Sequence, residues 1–447
     1  MIPKLLRRVE RRVLGALVAS AFIRAAALVV ALAVNASLAR LLGLEAFGLF
    51  AYAMSAVTLA GVTGEIGMRV LALREVARNR VHGRAAVLHG VIRFSLFATL
   101  IVSVLICAAG TGLFALVSEP VPAQSRQLFL LSVLAVPLVA MINTISGALR
   151  GLGAVADGLS TEILFRRMFL LGFVALAVAL EIATPTASAA MALHLLAAVV
   201  TFGLAVALLW RRLARWTPRQ ATAYQTRDWL LGAGPLWLTA VLTALQGQVD
   251  LLMLGALRPA SDVGVYRAAV QLAVLAAVSQ QIANNVFGER FATASARNDT
   301  VGLERYARQA AWIGTLGAGV MFLVFLLAGE QVSGLVFGEA YRPAAMPLIL
   351  LAGAALVAAA TGSSGYLLNT SGHERVVAVW LLGAVGVNAL ANYTLVPTYG
   401  PLGAAAATLG ATCLWKAGLT VAVYRRIGIN ATAFGLLAAR RTAESAD

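Results

Sequence analysis

Twelve stretches of predominantly apolar residues follow one another along this 447-residue chain, and no other feature limits its fold as much. They fall at 14–38, 46–66, 90–117, 127–149, 168–184, 187–210, 229–257, 264–287, 309–329, 343–368, 376–396 and 400–424. At about 1.5 Å per residue, about 20 helical residues cross the roughly 30 Å of hydrocarbon in a bilayer. In that medium each backbone N–H and C=O must be satisfied within the chain, so runs of this length fold as helices. Composition agrees, with 60% of residues hydrophobic and 12% charged, outside the balance of a soluble domain. Glycine and alanine recur inside the runs, as expected where helices approach one another closely. The expectation is an all-α polytopic membrane protein.

The net charge of +16 does not point to nucleic acid, because the basic residues cluster in the short links between apolar runs. Alternate links hold 28 Lys and Arg residues on one side of the membrane and five on the other. By the positive-inside rule both termini are expected in the cytoplasm. The basic opening MIPKLLRRVERRVLGALV lacks a cleavage site of small residues, so it reads as a retained cytoplasmic end and not as a signal peptide. Cys107 and Cys413 both lie inside apolar runs, where they read as packing residues.

The longest polar link, RRLARWTPRQATAYQTRD at 211–228, separates six runs from six. It predicts an N-terminal lobe at 1–210, a cytoplasmic linker at 211–228, and a C-terminal lobe at 229–447 ending in a short cytoplasmic tail. The halves also echo each other. NASLARLLGLEAFGLFAYA at Asn35 resembles DLLMLGALRPASDVGVYRAA at Asp250, which sets Asn35 against Asp250 and, after a one-residue slip, Gly48 against Gly264. ISGALRGLGA at Ile145 resembles SSGYLLNTSGHE at Ser363. Six helices repeated in parallel form a transporter pattern.

LARLLGLEAFGLFAYA, GEIGMRVLALREVAR (Gly64 to Arg78) and VDLLMLGALRPASDVGVYRAA together resemble the polysaccharide and O-antigen lipid-carrier flippases. These belong to the multidrug, oligosaccharidyl-lipid and polysaccharide exporter superfamily. The likeness covers nearly the whole chain in order, although the family's GEIG segment often carries Asp where this chain has Glu65. The resemblance implies two pseudo-symmetric six-helix lobes around a central cavity. It also implies alternating access that carries undecaprenyl-diphosphate-linked oligosaccharide across a bacterial inner membrane for surface polysaccharide or exopolysaccharide synthesis. Polysaccharide polymerase and a chain-length regulator are the expected partners besides the bilayer.

Several intramembrane polar residues are candidates for that work. Arg24 lies about 15 Å into the first run, deeper than its side chain can snorkel, and reads either as a guanidinium for a diphosphate or as a contact to helix carbonyls or a buried acid. Lys416 is a second candidate cation, and Asn35 and Gln246 complete the expected substrate-binding set. Asp250 reads as a coupling site for a proton or sodium gradient, as a gate acid held by a basic partner, or as a plain interhelical hydrogen bond. Glu65 is a further coupling or gating candidate, one turn from Arg69, where an ordinary i,i+4 salt bridge is the simpler reading. Gly234 and Pro235 interrupt the hydrogen-bond ladder of the seventh run and read as a hinge or a static kink. His194, Asn388 and Asn392 read as packing residues.

No Walker sequence, HExxH or paired Cys/His spacing is present, and GLGAV at Gly151 is not a dinucleotide fingerprint. No enzyme activity, cofactor, metal or nucleic-acid partner is therefore expected. A multidrug exporter of the same superfamily remains an alternative, as does a polytopic glycosyltransferase or polymerase, though the short outer links disfavour an enzyme.

Overall fold

The computed structural model describes residues 2–117, 123–181, 185–216, 221–297 and 299–435, with side chains from residue 19 onward. Residues 217–220 of the expected linker, the side chains of the basic N-terminal segment and the tail from 436 lie outside the described residues. The described chain is helical, with no strand among the described residues. In order come α1 (Ile2–Gly64), α2 (Met68–Val81), α3 (Ala85–Val117), α4 (Ala123–Gly151) and α5 (Val155–Leu159). A π-helical turn (Ser160–Phe165) leads into α6 (Arg166–Ala179), followed by α7 (Ala187–Leu213), α8 (Thr226–Leu257), α9 (Ala260–Ala296) and α10 (Thr300–Phe337). After a 3-10 turn (Glu339–Ala344) come α11 (Ala345–Ala360), α12 (Ser364–Thr370) and α13 (Glu374–Ile427).

Among the described residues, nine helical segments have the length and hydropathy to cross a membrane. Two of them hold two spans each. Gly43 (φ 75°, ψ 178°) breaks α1, and Gly400 (φ 54°, ψ −129°) breaks α13, at backbone angles that glycine adopts without steric cost. The continuous run from α5 through the π turn to α6 supplies the remaining span, which gives about twelve. This fifth span begins at Val155 and not at 168. Its first half carries Asp157, Glu162, Arg166 and Arg167, so a hydropathy window starts too late. The tenth span also ends earlier than expected, at Ala360, where Gly362 (φ 72°) turns the chain before α12.

The chain packs into two compact units. The first comprises 1–42 and 52–244, in which α4 contacts α2, α3 and α7. Gly147 and Gly151, four residues apart on α4, let α2 approach closely, since a Cβ on Gly147 would collide with the Arg69 carbonyl. The second unit comprises 43–51 and 245–447, built on α9 against α10 and α11, with α11 also against α13.

The sequence places the boundary in the 211–228 link, whereas packing groups the chain up to Ala244 with the first unit. Packing also groups 43–51 with the second unit, and close approaches at glycines lie at both places. Gly67 (φ 75°) ends the turn after α1, and a Cβ there would sit 2.6 Å from the Ala233 carbonyl oxygen, so α8 lies directly on this turn. Trp237 Nε1 donates to the Thr63 carbonyl at 3.1 Å across the same contact. In the second unit, a Cβ on Gly48 would strike the Ala260 carbonyl and one on Gly264 the Leu44 carbonyl. The two glycines that the internal repeat aligns therefore pack against each other, each clearing space for the other's backbone.

Candidate functional site

Among the described residues only two acids are buried, Asp250 at 8% exposure and Glu65 at 2%, and each organises a polar cluster in an apolar surround. Asp250 stands on α8, in the second unit. Its Oδ1 accepts from Asn388 Nδ2 at 2.9 Å and Asn392 Nδ2 at 2.8 Å, both on α13. Its Oδ2 accepts from Thr408 Oγ1 at 2.6 Å and from the Tyr266 hydroxyl at 3.0 Å. Asn388 and Asn392 are one turn apart, and Asn392 also donates to the Asn388 carbonyl at 2.9 Å, which fixes the pair on one helix face. A carboxylate offers about four acceptor sites, and four donors meet them here.

All four partners of Asp250 are neutral, so the basic partner expected for a gate acid is not among them. Asn388 and Asn392, expected as packing residues, are its ligands instead. The two carboxylate oxygens also differ in what surrounds them. Oδ1 meets amide N–H groups, which only donate, whereas Oδ2 meets two hydroxyls, which either donate or accept by rotating. The cage thus suits both an ionised and a protonated carboxyl without rebuilding. Its other oxygens come from Thr408, Tyr266 and the two asparagines, and Asn392 Oδ1 is buried without a hydrogen-bond partner.

Glu65 lies in the first unit, in the turn between α1 and α2. Its Oε1 accepts from Asn143 at 2.7 Å and its Oε2 from Arg69 Nε at 3.2 Å. The Glu65–Arg69 pair expected along one helix is present, but it spans a helix break in which Ile66 and Gly67 both take positive φ. Arg69 then reaches Glu162 at 3.2 Å, which in turn accepts from Ser146 at 2.8 Å and pairs with Arg150 at 3.5 Å. Asn143, Ser146 and Arg150 share one face of α4, and Glu162 sits on the π turn. The inserted π residue turns Glu162 into the helix bundle, a placement typical of such bulges. Below it, Arg166 Nη1 is buried without a partner, and Arg167 donates to the Ala27 carbonyl of α1 at 3.2 Å. From the sequence, Arg150, Arg166 and Arg167 count only as basic residues of a cytoplasmic link.

The other expected residues are separate from these clusters. Arg24 is exposed on α1 and forms no ion pair among the described residues. Asn35 follows eleven residues later, three helical turns on, so the two share a stripe. That stripe lies apart from the lipid-type face marked by Phe22 (73% exposed) and Val29 (67%). Asn35 itself is held by the Ala31 carbonyl at 2.8 Å. Gln246 is half-buried and is not one of the Asp250 partners. Lys416 is half-buried too, its Nζ 5.2 Å from the centroid of the Trp415 ring. Helix α8 continues through Gly234 and Pro235 without a non-helical residue, and Gly234 has open space around it.

The profile of the polysaccharide biosynthesis protein family matches residues 16–286, more than half of the chain. No curated protein sequence matches significantly. In fold, the chain is similar to an inward-facing multidrug resistance MATE family transporter of the MOP superfamily, with TM-score 0.68 and 16% identity over 89% of this chain and 94% of that one. It is equally similar to the lipid II flippase MurJ in an inward closed conformation, with TM-score 0.68 and 13% identity over 90% and 87% of the two chains. A mutant of the Vibrio cholerae MATE transporter VcmN aligns with TM-score 0.64 and 13% identity over 92% and 97%. These likenesses establish the transporter fold of about twelve membrane helices in two six-helix lobes. The profile match, over more than half of the chain, places it in the polysaccharide biosynthesis protein family.

Proposed function

We propose that the protein is a flippase that moves polyprenyl-diphosphate-linked oligosaccharide across a bacterial cytoplasmic membrane by alternating access, with both termini in the cytoplasm. The observation that carries this reading is Arg24, an exposed guanidinium about 15 Å into the first span that pairs with no acid among the described residues. A cation at that depth is costly unless it faces water or an anion, and its planar fork matches a diphosphate. Asn35 on the same stripe, together with Lys416 and Gln246, completes the proposed substrate contacts.

Asp250 is the proposed coupling residue, taking up a proton or sodium ion at its carboxylate, so that the transmembrane gradient biases one conformation over the other. Glu65 and its network hold the α1–α2 turn as a gating element. Gly234 and Pro235 supply the flexing point of α8. Polysaccharide polymerase and a chain-length regulator would consume the product on the far side.

Deleting the gene tests the reading. Undecaprenyl-linked repeat units should accumulate on the inner leaflet and surface polymer should disappear, with rescue by wild type but not by Arg24→Ala. Unchanged polymer together with new sensitivity to cationic drugs would instead identify a multidrug exporter.

A further inference from the structure

Where α9 ends and α10 begins, the second unit holds a cavity of about 790 Å³, lined by Phe287, Glu304, Arg305, Arg308, Trp312 and Ile313 among others. Arg305 and Arg308 line it, and Arg290 lies against its lining residue Phe287; the guanidiniums of Arg290 and Arg305 both stack on Tyr306. The Arg290 guanidinium lies 5.6 Å from the Tyr306 centroid and 5.4 Å from that of Phe287, and the Arg305 guanidinium lies 5.3 Å from Tyr306. Glu304 pairs with Arg308 at 2.7 Å, whereas Arg290 and Arg305 form no ion pair among the described residues. Two positive charges therefore remain for an anion.

The exposed stripe of α10 gives the depth of this cavity. Arg305 and Arg308 come first, then Trp312 (49% exposed), then Ile313 (50%), Leu316 (68%) and Leu323 (53%). Cations, then tryptophan, then hydrocarbon is the order in which a bilayer passes from headgroups to acyl chains. Phe434 packs edge-on against Trp312 at 5.1 Å and widens the aromatic wall at the same level. A lone interfacial arginine meets lipid phosphates only transiently. Here one unpaired guanidinium, Arg305, lines a preformed cavity and a second, Arg290, stacks on its lining residue Phe287, and the cavity's size is in the range of small-molecule sites.

We infer that this cavity binds an anionic glycerophospholipid of the surrounding bilayer, with the phosphate between Arg290 and Arg305 and the acyl chains along Trp312, Ile313 and Leu316. Charge complementarity selects the headgroup, and the apolar continuation of the stripe selects a lipid over a free anion. The site depends only on α10 lying in a membrane and not on what the protein transports.

Native mass spectrometry of the purified full-length protein in nonionic detergent, titrated with phosphatidylglycerol or phosphatidylcholine, tests the inference. Each arginine near a lipid surface is worth on the order of fivefold in affinity, so phosphatidylglycerol should be preferred about twentyfold or more. Arg290→Gln with Arg305→Gln should remove the preference, and the paired Arg→Lys variants should retain most of it. Glu304→Gln should tighten phosphatidylglycerol binding about fivefold by freeing Arg308, a gain that misfolding cannot imitate. Equal binding of the two lipids by wild type, or a preference that survives the double Gln variant, would overturn the inference. Tighter binding of undecaprenyl diphosphate at the same arginines would overturn it too, by making the cavity a substrate station.

Discussion

Asp250→Ala removes the acceptor of four hydrogen bonds at once. The loss is smaller than four orphaned donors, because some neighbours re-pair. Asn392 Nδ2 already lies 2.9 Å from both the carbonyl and the Oδ1 of Asn388, and the Tyr266 hydroxyl lies 3.4 Å from Thr408 Oγ1. That leaves the Asn388 amide and one hydroxyl without a partner in an apolar surround. At about 1–3 kcal/mol for each buried orphan, the cost is about 2–6 kcal/mol. Asp250→Asn differs in kind. Its carbonyl still accepts from the two asparagines, its NH₂ donates to the two hydroxyls once they rotate, and its cost should stay near ~1 kcal/mol. Thermal unfolding of the purified protein should therefore rank wild type and Asp250→Asn close together and Asp250→Ala several degrees lower, at about 2–4 °C per kcal/mol. A double-mutant cycle with Asn388→Ala should give a clear coupling energy. Asp250→Asn should nonetheless lose gradient-driven transport, since its amide cannot ionise. An Asp250→Ala protein as stable as Asp250→Asn would refute the assignment of these hydrogen bonds.

Gly48→Ala forces a Cβ into the Ala260 carbonyl and should destabilise by about 1–3 kcal/mol, while Gly110→Ala, with open space around it, should be neutral or stabilising in the same unfolding assay. Arg69→Ala leaves Glu65 and Glu162 without their shared cation. Because Glu65 is buried while Glu162 and Arg69 are partly exposed, the loss should fall toward the low end of the ~3–5 kcal/mol range for breaking a buried pair, and Arg69→Lys should recover only part of it. Gly234→Ala meets no neighbour and should stabilise α8 by up to about 1 kcal/mol; if Gly234 is a flexing point, transport should fall as stability rises.

Hydropathy made the helices legible, because the bilayer sets a length that each span must satisfy. The repeat went further and aligned Gly48 with Gly264, two glycines in direct contact. Hydropathy failed where polar side chains are carried inside a span. Glu162, Arg166 and Arg167 moved the apparent start of the fifth span, and nothing in the local sequence announces the π turn that sets Glu162 against Arg69 of α2 and Ser146 and Arg150 of α4. Asp250 stood out as an acid in an apolar run, but three of its four partners come from 138, 142 and 158 residues away on α13, and an asparagine in a membrane helix gives no hint of its partner. Pairing across such distances is a property of the packed bundle, not of any local spacing.

The central claim is that this chain moves a lipid-linked, diphosphate-bearing sugar. Purified protein reconstituted into vesicles with a fluorescent undecaprenyl-diphosphate oligosaccharide measures this directly, as the fraction of label that becomes accessible to a membrane-impermeant quencher. Wild-type vesicles should expose label at a rate that rises with an imposed proton or sodium gradient, and Arg24→Ala vesicles should match protein-free ones. Equal rates with and without wild-type protein would contradict the account.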